Sequence, residues 1–257
     1  MIDRAQLAEG FVELGLSAGA SVLVHGSLKS LGWVEGGADA VVDALMDTVG
    51  PGGTVMVPNL PFRGSLTNYL NTEPTFDVRT TPSLMGAITE ALRRRPDARR
   101  SLHSSHSVAA VGVLRDEMTC DHEKDDVTCG VHSAYYRNAH RANAFILMIG
   151  VTLNNMTTFH SVEETNELPY LFSGKVYTSY VMDYAGRKLT LRTRGYADGT
   201  VRRDFIAPEP VLLKEGLMKV GKVGEAECRL MDARGTFDLV ERAVRKDPWF
   251  LVAERLT

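Results

Sequence analysis

The chain has 257 residues, a hydrophobic fraction of 44% and a formal charge of −3. It can bury a sizeable core, as one large α/β domain or two small ones, and carries no basic footprint for nucleic acid. Three cysteines (Cys120, Cys129, Cys228) are too few and odd in number for a disulfide framework, and no apolar run is long enough to span a bilayer.

In chain order, Asp3 can cap a helix over 3–14, where Leu7, Phe11 and Leu14 recur at helical spacing. The N-terminus, Met1-Ile2-Asp3-Arg4-Ala5, carries an acid early and lacks a signal-peptide core, so a cytoplasmic protein is expected. Gly15 and Gly19 end the helix, and Ser21 to His25 reads as a short buried strand. The small-residue loop Gly26-Ser27-Leu28-Lys29-Ser30-Leu31-Gly32 follows, then Gly36-Gly37 and a helix from about Ala38 to Val49. Strand, small-residue loop, helix is an order that presents backbone N–H groups to an anion. It fits equally well an ordinary βα loop with glycines for tight packing. The Walker and dinucleotide spacings are absent. Thr54 to Pro58 is the next strand, so a parallel βαβ pair with a right-handed crossover is expected.

Residues 59–82 read as a long surface loop, in which Asp77 is either an acceptor-binding acid or an ordinary Asx-turn. Ser83 to Arg95 reads as a helix with Leu84, Ile88 and Leu92 on one face. Arg100-Ser101-Leu102-His103-Ser104-Ser105-His106-Ser107 then runs into the strand Val108 to Val113. Two histidines and several hydroxyls at a strand mouth are either a site held by a rigid scaffold or a capped turn. Residues 116–134 are dense in polar groups. Cys120, His122, Cys129 and His132 are residue types that zinc accepts, but their spacing is not a common zinc pattern.

Ala144 to Val151 is the most apolar run and reads as a central strand. Beyond it, His160 and Glu163 stand three apart, on one face of a helix. A carboxylate beside an imidazole fixes its tautomer and suits a general base, although a helix-start His and a surface Glu give the same spacing. From Lys175 the pattern turns to period two and predicts a hairpin, with a further strand past Gly199. Residues 218–232 look like short strands, and Thr236 to Arg245 like a helix stopped by Asp247-Pro248.

Three blocks together carry a resemblance. His25-Gly26-Ser27-Leu28-Lys29-Ser30-Leu31-Gly32 through Thr54 is similar to the N-terminal block of the aminoglycoside 3-N-acetyltransferase family. Arg100 through Gly112 resembles that family's Arg-Ser-x-His-Pro-Thr-His-Ser signature, with Ser104 and Ser105 at the Pro-Thr positions. Gly150 through Glu163 resembles its second signature, with Thr157, His160 and Glu163 matched and Met156 where an Asn is usual.

The resemblance implies a single domain over 1–257 with a three-layer αβα fold and a mixed central sheet, unlike the GNAT acetyltransferases. Residues 1–170 would form the coenzyme A-binding and catalytic core, and 171–257 a β-rich part completing the acceptor site. It implies acetyl transfer from acetyl-CoA to a primary amine, here the 3-amino group of an aminoglycoside, with no metal. His160, Glu163 and Thr157 would be catalytic. His25, Ser27, Leu28, Lys29, Ser30, Gly32, His103, Ser105, His106, Ser107 and Val108 would hold the coenzyme. Asp77, His132 and Tyr135 would face the acceptor. Gly130-Val131-His132-Ser133-Ala134 lacks the Pro of the family's Gly-x-x-Ser-Pro, which leaves another amine metabolite open as acceptor. Three further readings stay open: a metal-dependent hydrolase using His103, His106, His122 and His160, a coenzyme A-binding protein without catalysis, and a homodimer.

Overall fold

The computed structural model describes residues 1–256. The strands are β1 (Ser21–Gly26), β2 (Thr54–Pro58), β3 (Thr75–Asp77), β4 (Arg99–Arg100), β5 (Val108–Gly112), β6 (Ala144–Ile149), β7 (Phe172–Met182), β8 (Lys188–Tyr196), β9 (Val201–Arg203), β10 (Met218–Val223), β11 (Ala226–Asp232) and β12 (Val252–Arg255). The helices are α1 (Arg4–Leu14), α2 (Gly37–Val49), α3 (Leu66–Leu70), α4 (Ala87–Arg93), α5 (Arg115–Thr119), α6 (Ala134–Ala139), α7 (Thr158–Thr165), α8 (Glu209–Lys214) and α9 (Ala233–Lys246).

A seven-stranded mixed sheet runs in the order β10-β11-β6-β1-β2-β5-β4. Its centre, β6-β1-β2, is parallel, with Ser21 opposite both Thr54 and Ala144, and the flanking pairs are antiparallel. Side chains alternate across it. Val22, Val24, Val55 and Val57 face one core with Leu7, Phe11 and Leu45, under α1, α2 and α4. Leu23 and Met56 face the opposite layer with Met118 and Tyr135, while Ile146 and Met148 meet Phe159 and Phe237 there. Helices therefore cover both faces, as parallel strands require. The α1 contribution is typical. A capping box at Asp3 and Gln6 starts the helix, and its buried Leu7, Phe11 and Leu14 each contribute about 1.5–3 kcal/mol.

Two expectations need correction. The helix expected over Ser83–Arg95 begins only at Ala87. Gly86, at φ 121°, breaks the helical path before it, and the Glu90 carboxylate accepts the Ser83 N–H at 2.8 Å, fixing 83–86 as a lead-in. Leu84 is accordingly exposed rather than on the buried face. The segment 59–82 is also not an unstructured surface loop. Leu60, Phe62, Leu66 and Leu70 form a core with Leu171, Tyr177 and Tyr196, and β3 pairs in parallel with β7.

A second sheet, β3-β7-β8, thus sits over the main one, and β12-β9 forms a small third. The chain after 170 does not stand apart, since β10 and β11 complete the main sheet. Among the described residues, no helix is long and apolar enough to cross a membrane.

Candidate active site

From β1 the chain continues through α2 to β2 on one side. From β6, paired to the other side of β1, it turns toward α7. The carboxyl ends of β1 and β6 are therefore a switch point in the winding, where open α/β sheets leave a crevice. A groove of ≈ 840 Å³ opens there, lined by Gly26, Ser27, Leu28, Lys29, Trp33 and Val151 together with the starts of α2 and α4. The N-cap of α2 is Gly36, at φ 77°, with no side-chain cap, so first-turn N–H groups are left for a ligand.

Next to the groove, the chain leaves β6 at Gly150, whose φ is 61° and where a Cβ would collide with the Ser30 side chain. This tight turn leads through a 3-10 turn at Leu153–Asn155 into α7. His160 lies in the first turn of α7, and its Nδ1 is 2.7 Å from Glu163 Oε2. The Glu163 side chain is wholly buried, and Arg203 on β9 donates to it at 2.7 and 3.1 Å. Burial pushes the Glu163 carboxyl up, but the hydrogen bonds and charges of His160 and Arg203 outweigh it, and the group is held below its usual range. Tyr196 and Phe205 flank the imidazole, with ring centroids 5.6 and 5.1 Å away. Glu163, an acceptor, receives a hydrogen bond from Nδ1–H, which leaves the lone pair on Nε2.

His160 opens onto a cavity of ≈ 300 Å³, whose walls include His106, Asn154, Asn155, Thr157, Tyr196, Asp198 and Arg203. A basic imidazole nitrogen, oriented by a buried carboxylate, at the wall of a small cavity can take a proton from an attacking nucleophile.

The family model described as aminoglycoside 3-N-acetyltransferase matches residues 23–245. The chain belongs to that family. The aminoglycoside N(3)-acetyltransferase III of Salmonella sp is 33% identical over 91% of this chain and 88% of that protein. The prophage-derived aminoglycoside N(3')-acetyltransferase-like protein YokD of Bacillus subtilis (strain 168) is 29% identical over 96% and 92%. Aminoglycoside acetyltransferase AAC(3)-Xa superposes with a TM-score of 0.79 at 28% identity, covering 95% of this chain and 93% of its own. A mutant of AAC(3)-IVa solved in complex with a gentamicin gives 0.81 at 25%, over 97% and 90%. The αβα architecture with a mixed sheet is the fold of these acetyltransferases.

Several expected site residues lie elsewhere. His103, Ser105, Ser107 and Val108 are wholly buried and line neither the groove nor the His160 cavity. The loop residue at the wall of the His160 cavity is His106. His25 is buried behind the groove, and the Ser30 hydroxyl turns inward to donate to the Ser27 carbonyl at 2.7 Å. Ser27, Leu28, Lys29 and Gly32 do line the groove.

None of the three expected acceptor residues reaches the cavity. Asp77 accepts the Arg79 N–H at 2.8 Å in an Asx-turn, Tyr135 is fully buried, and His132 is tied to Asp125 at 2.7 Å. The four histidines of the hydrolase reading are neighbours but form no metal-binding group. Among the described residues, no three His, Cys, Asp or Glu side chains are grouped to hold a metal ion.

Sequence reasoning missed Arg203, Tyr196 and Asp198, which reach the site from the hairpin and the strand after it. Only the period-two pattern marked those strands, and it does not say what they face. It also missed Glu164. This buried carboxylate accepts from Thr128 N (3.0 Å), Thr128 Oγ1 (2.6 Å), Cys129 N (2.6 Å) and Tyr196 Oη (2.6 Å). It ties the 128–129 loop and Tyr196, which flanks His160, to α7. Replacing Glu164 with alanine strands two buried N–H groups and leaves the Thr128 and Tyr196 hydroxyls only each other, at 2.8 Å. At about 1–3 kcal/mol for an unsatisfied group, a loss of at least about 3 kcal/mol is expected, or roughly 6–12 °C in Tm. Urea and thermal unfolding of the variant check this, and a shift under about 2 °C would mean that the clamp contributes little.

Proposed function

We propose that this protein transfers acetyl from acetyl-CoA to the 3-amino group of an aminoglycoside, by direct attack within a ternary complex. The observation that carries the reading is the Arg203–Glu163–His160 array, which puts a basic imidazole nitrogen at the wall of a cavity beside the switch-point groove. Family membership supports the acetyl donor and the amine acceptor.

The groove's features fit the coenzyme. At ≈ 840 Å³ it is roomy, its walls mix apolar side chains with glycines, Lys29 is exposed, and the start of α2 without a side-chain cap suits phosphate oxygens. Bound there, acetyl-CoA supplies an activated thioester carbonyl. His160 Nε2 removes a proton from the acceptor amine as its nitrogen attacks that carbonyl, while Glu163 stabilises the imidazolium and Arg203 keeps the carboxylate in place. The N–C bond forms, the C–S bond breaks, and the proton held on His160 passes to the departing sulfur. Thr157, at the N-cap of α7 and on the cavity wall, adds a polar group beside the reacting atoms. Residues after 170 complete the acceptor side through Tyr196, Asp198 and Arg203. The cytoplasm is where such an enzyme meets its donor.

A second reading, a smaller amine metabolite as acceptor, is favoured by one feature. Among the described residues, Asp198 is the only carboxylate at the cavity wall, against Arg203 and two histidines, which is a modest charge for a polycation.

Thiol release from acetyl-CoA, measured against aminoglycosides with a free 3-amino group and a panel of monoamines, tests both readings. Release with an aminoglycoside and a product acetylated at that amine supports the first. Release only with monoamines selects the second. A protein that neither binds acetyl-CoA in calorimetry nor releases thiol refutes the transferase reading.

A further inference from the structure

The two histidines of the Ser/His loop, His103 and His106, continue a row that starts at His122 and ends at the cavity lined by His160, and hydrogen bonds orient the rings. At the inner end, His122 Nε2 is 3.0 Å from the Thr128 carbonyl oxygen, which can only accept, so Nε2 carries the proton. Its Nδ1 accepts from the Ser101 hydroxyl at 3.0 Å, and the Ser101 oxygen accepts the Val108 N–H at 2.9 Å. His103 stacks on His122, with centroids 4.5 Å apart. The His103 Nδ1 accepts two backbone N–H groups, from Ser105 at 3.3 Å and His106 at 3.1 Å, and so bears no proton.

The Ser105 hydroxyl lies between two rings. It is 3.3 Å from that occupied His103 lone pair and 3.0 Å from His106 Nδ1. Because the His103 lone pair already takes two N–H groups, the arrangement that spares it a third donor has Ser105 donate to His106 Nδ1, with the His106 proton on Nε2. With Nδ1 tied back to Ser105 and Phe62 packed against the ring, Nε2–H is the edge left for the cavity that His106 lines with His160.

Resting on the acetyl-transfer reading above, we infer that His106 is a further catalytic residue, a neutral imidazole whose Nε2–H donates a hydrogen bond to the thioester carbonyl oxygen as it becomes an oxyanion. When the amine attacks, the carbonyl electron pair moves onto that oxygen. His106 stabilises it and keeps its own proton. The pair then returns as the C–S bond breaks, and His160 alone carries the transferred proton. Burial, with His103 and His160 nearby, keeps the His106 imidazole uncharged well below the usual histidine range, so the donor does not change with pH where the enzyme works. A preorganised donor in a water-poor cavity is the arrangement that stabilises developing negative charge.

His106→Ala is expected to lower kcat by about a hundred- to a thousandfold while the KM for acetyl-CoA stays within about threefold. His106→Gln, which restores an N–H donor, should recover at least about tenfold of that loss, a rescue that a purely structural role does not give. Nitrogen-15 NMR of the wild-type protein should show His106 protonated at Nε2 and bare at Nδ1, unchanged from about pH 6.5 to 8.5. Should His106→Ala not fold, Ser105→Ala releases the tautomer and is expected to lower kcat by about tenfold. The inference is overturned by an active wild type that His106→Ala leaves within about fivefold, or by a His106 bare at Nε2. An inactive wild type with every amine counts instead against the transferase reading, and the NMR result is independent of it.

Discussion

On the proposed mechanism, replacing His160 with alanine is expected to lower kcat for acetyl transfer by about a hundred- to ten-thousandfold and to leave the affinity for acetyl-CoA nearly unchanged. The split follows from the geometry. His160 lines the ≈ 300 Å³ cavity and is not among the residues of the ≈ 840 Å³ groove, so its loss removes the base without touching the donor's site. The fold survives the change because His160 is half-buried at the start of α7, where Glu163 keeps its contact with Arg203. Steady-state kinetics with calorimetry of acetyl-CoA check both halves. Turnover above about a tenth of wild type would remove His160 from the chemistry, and a large loss of acetyl-CoA affinity would place it in the donor site.

The second large effect is acid sensitivity. His25, His103, His106 and His122 are all buried. Burial lowers His25 to about 3 and His103 to about 4, and burial with neighbouring histidines lowers His106 and His122 well below the usual value. In the unfolded chain each titrates near 6.5. Below that pH the unfolded state binds protons that the folded state refuses, so stability is full at neutral pH and is lost as pH falls. Each group contributes a slope approaching about 1.4 kcal/mol per pH unit, and four give roughly 5 kcal/mol between pH 7 and 5.5.

Glu164 and Asp125 act in the opposite sense, because burial raises their carboxyls and the folded state takes up protons as pH falls. They offset part of this loss. Glu163 does not enter this window, since a depressed carboxyl loses its contribution only below the ordinary carboxylate range. Urea unfolding at the two pH values measures the loss. His25→Leu removes a ring whose Nε2 has no hydrogen-bond partner and should flatten the dependence by about 1.3 kcal/mol. Equal stability at both pH values would contradict the neutral burial of these rings.

How legible the site was depended on the range of each interaction. His160 and Glu163 stand three apart on one short helix, so their contact could be read from spacing. Arg203, which completes the array, is 40 residues further on and arrives through β9, for which no local pattern specifies a partner. The strand at Thr75–Asp77 is three residues long, too short to show a period, and exists because β7 pairs with it about a hundred residues later. The Ser/His loop shows the converse. Its composition marked it as unusual, yet composition does not distinguish a loop facing a ligand from one packed inside, and of its residues only His106 lines the cavity that holds His160.

The sequence by itself determined the strands β1, β2, β5 and β6 of the main sheet, the parallel β1-α2-β2 unit and the His160–Glu163 pair. These follow from periodicity, capping and i,i+3 geometry, which act within a few residues. It also carried enough similarity along 23–245 to fix the family. Only the tertiary structure decided which polar residues are accessible, which carboxylate holds which loop, and which histidines stay neutral. Burial and charge balance are sums over neighbours brought together by the whole fold, and no stretch of chain contains them.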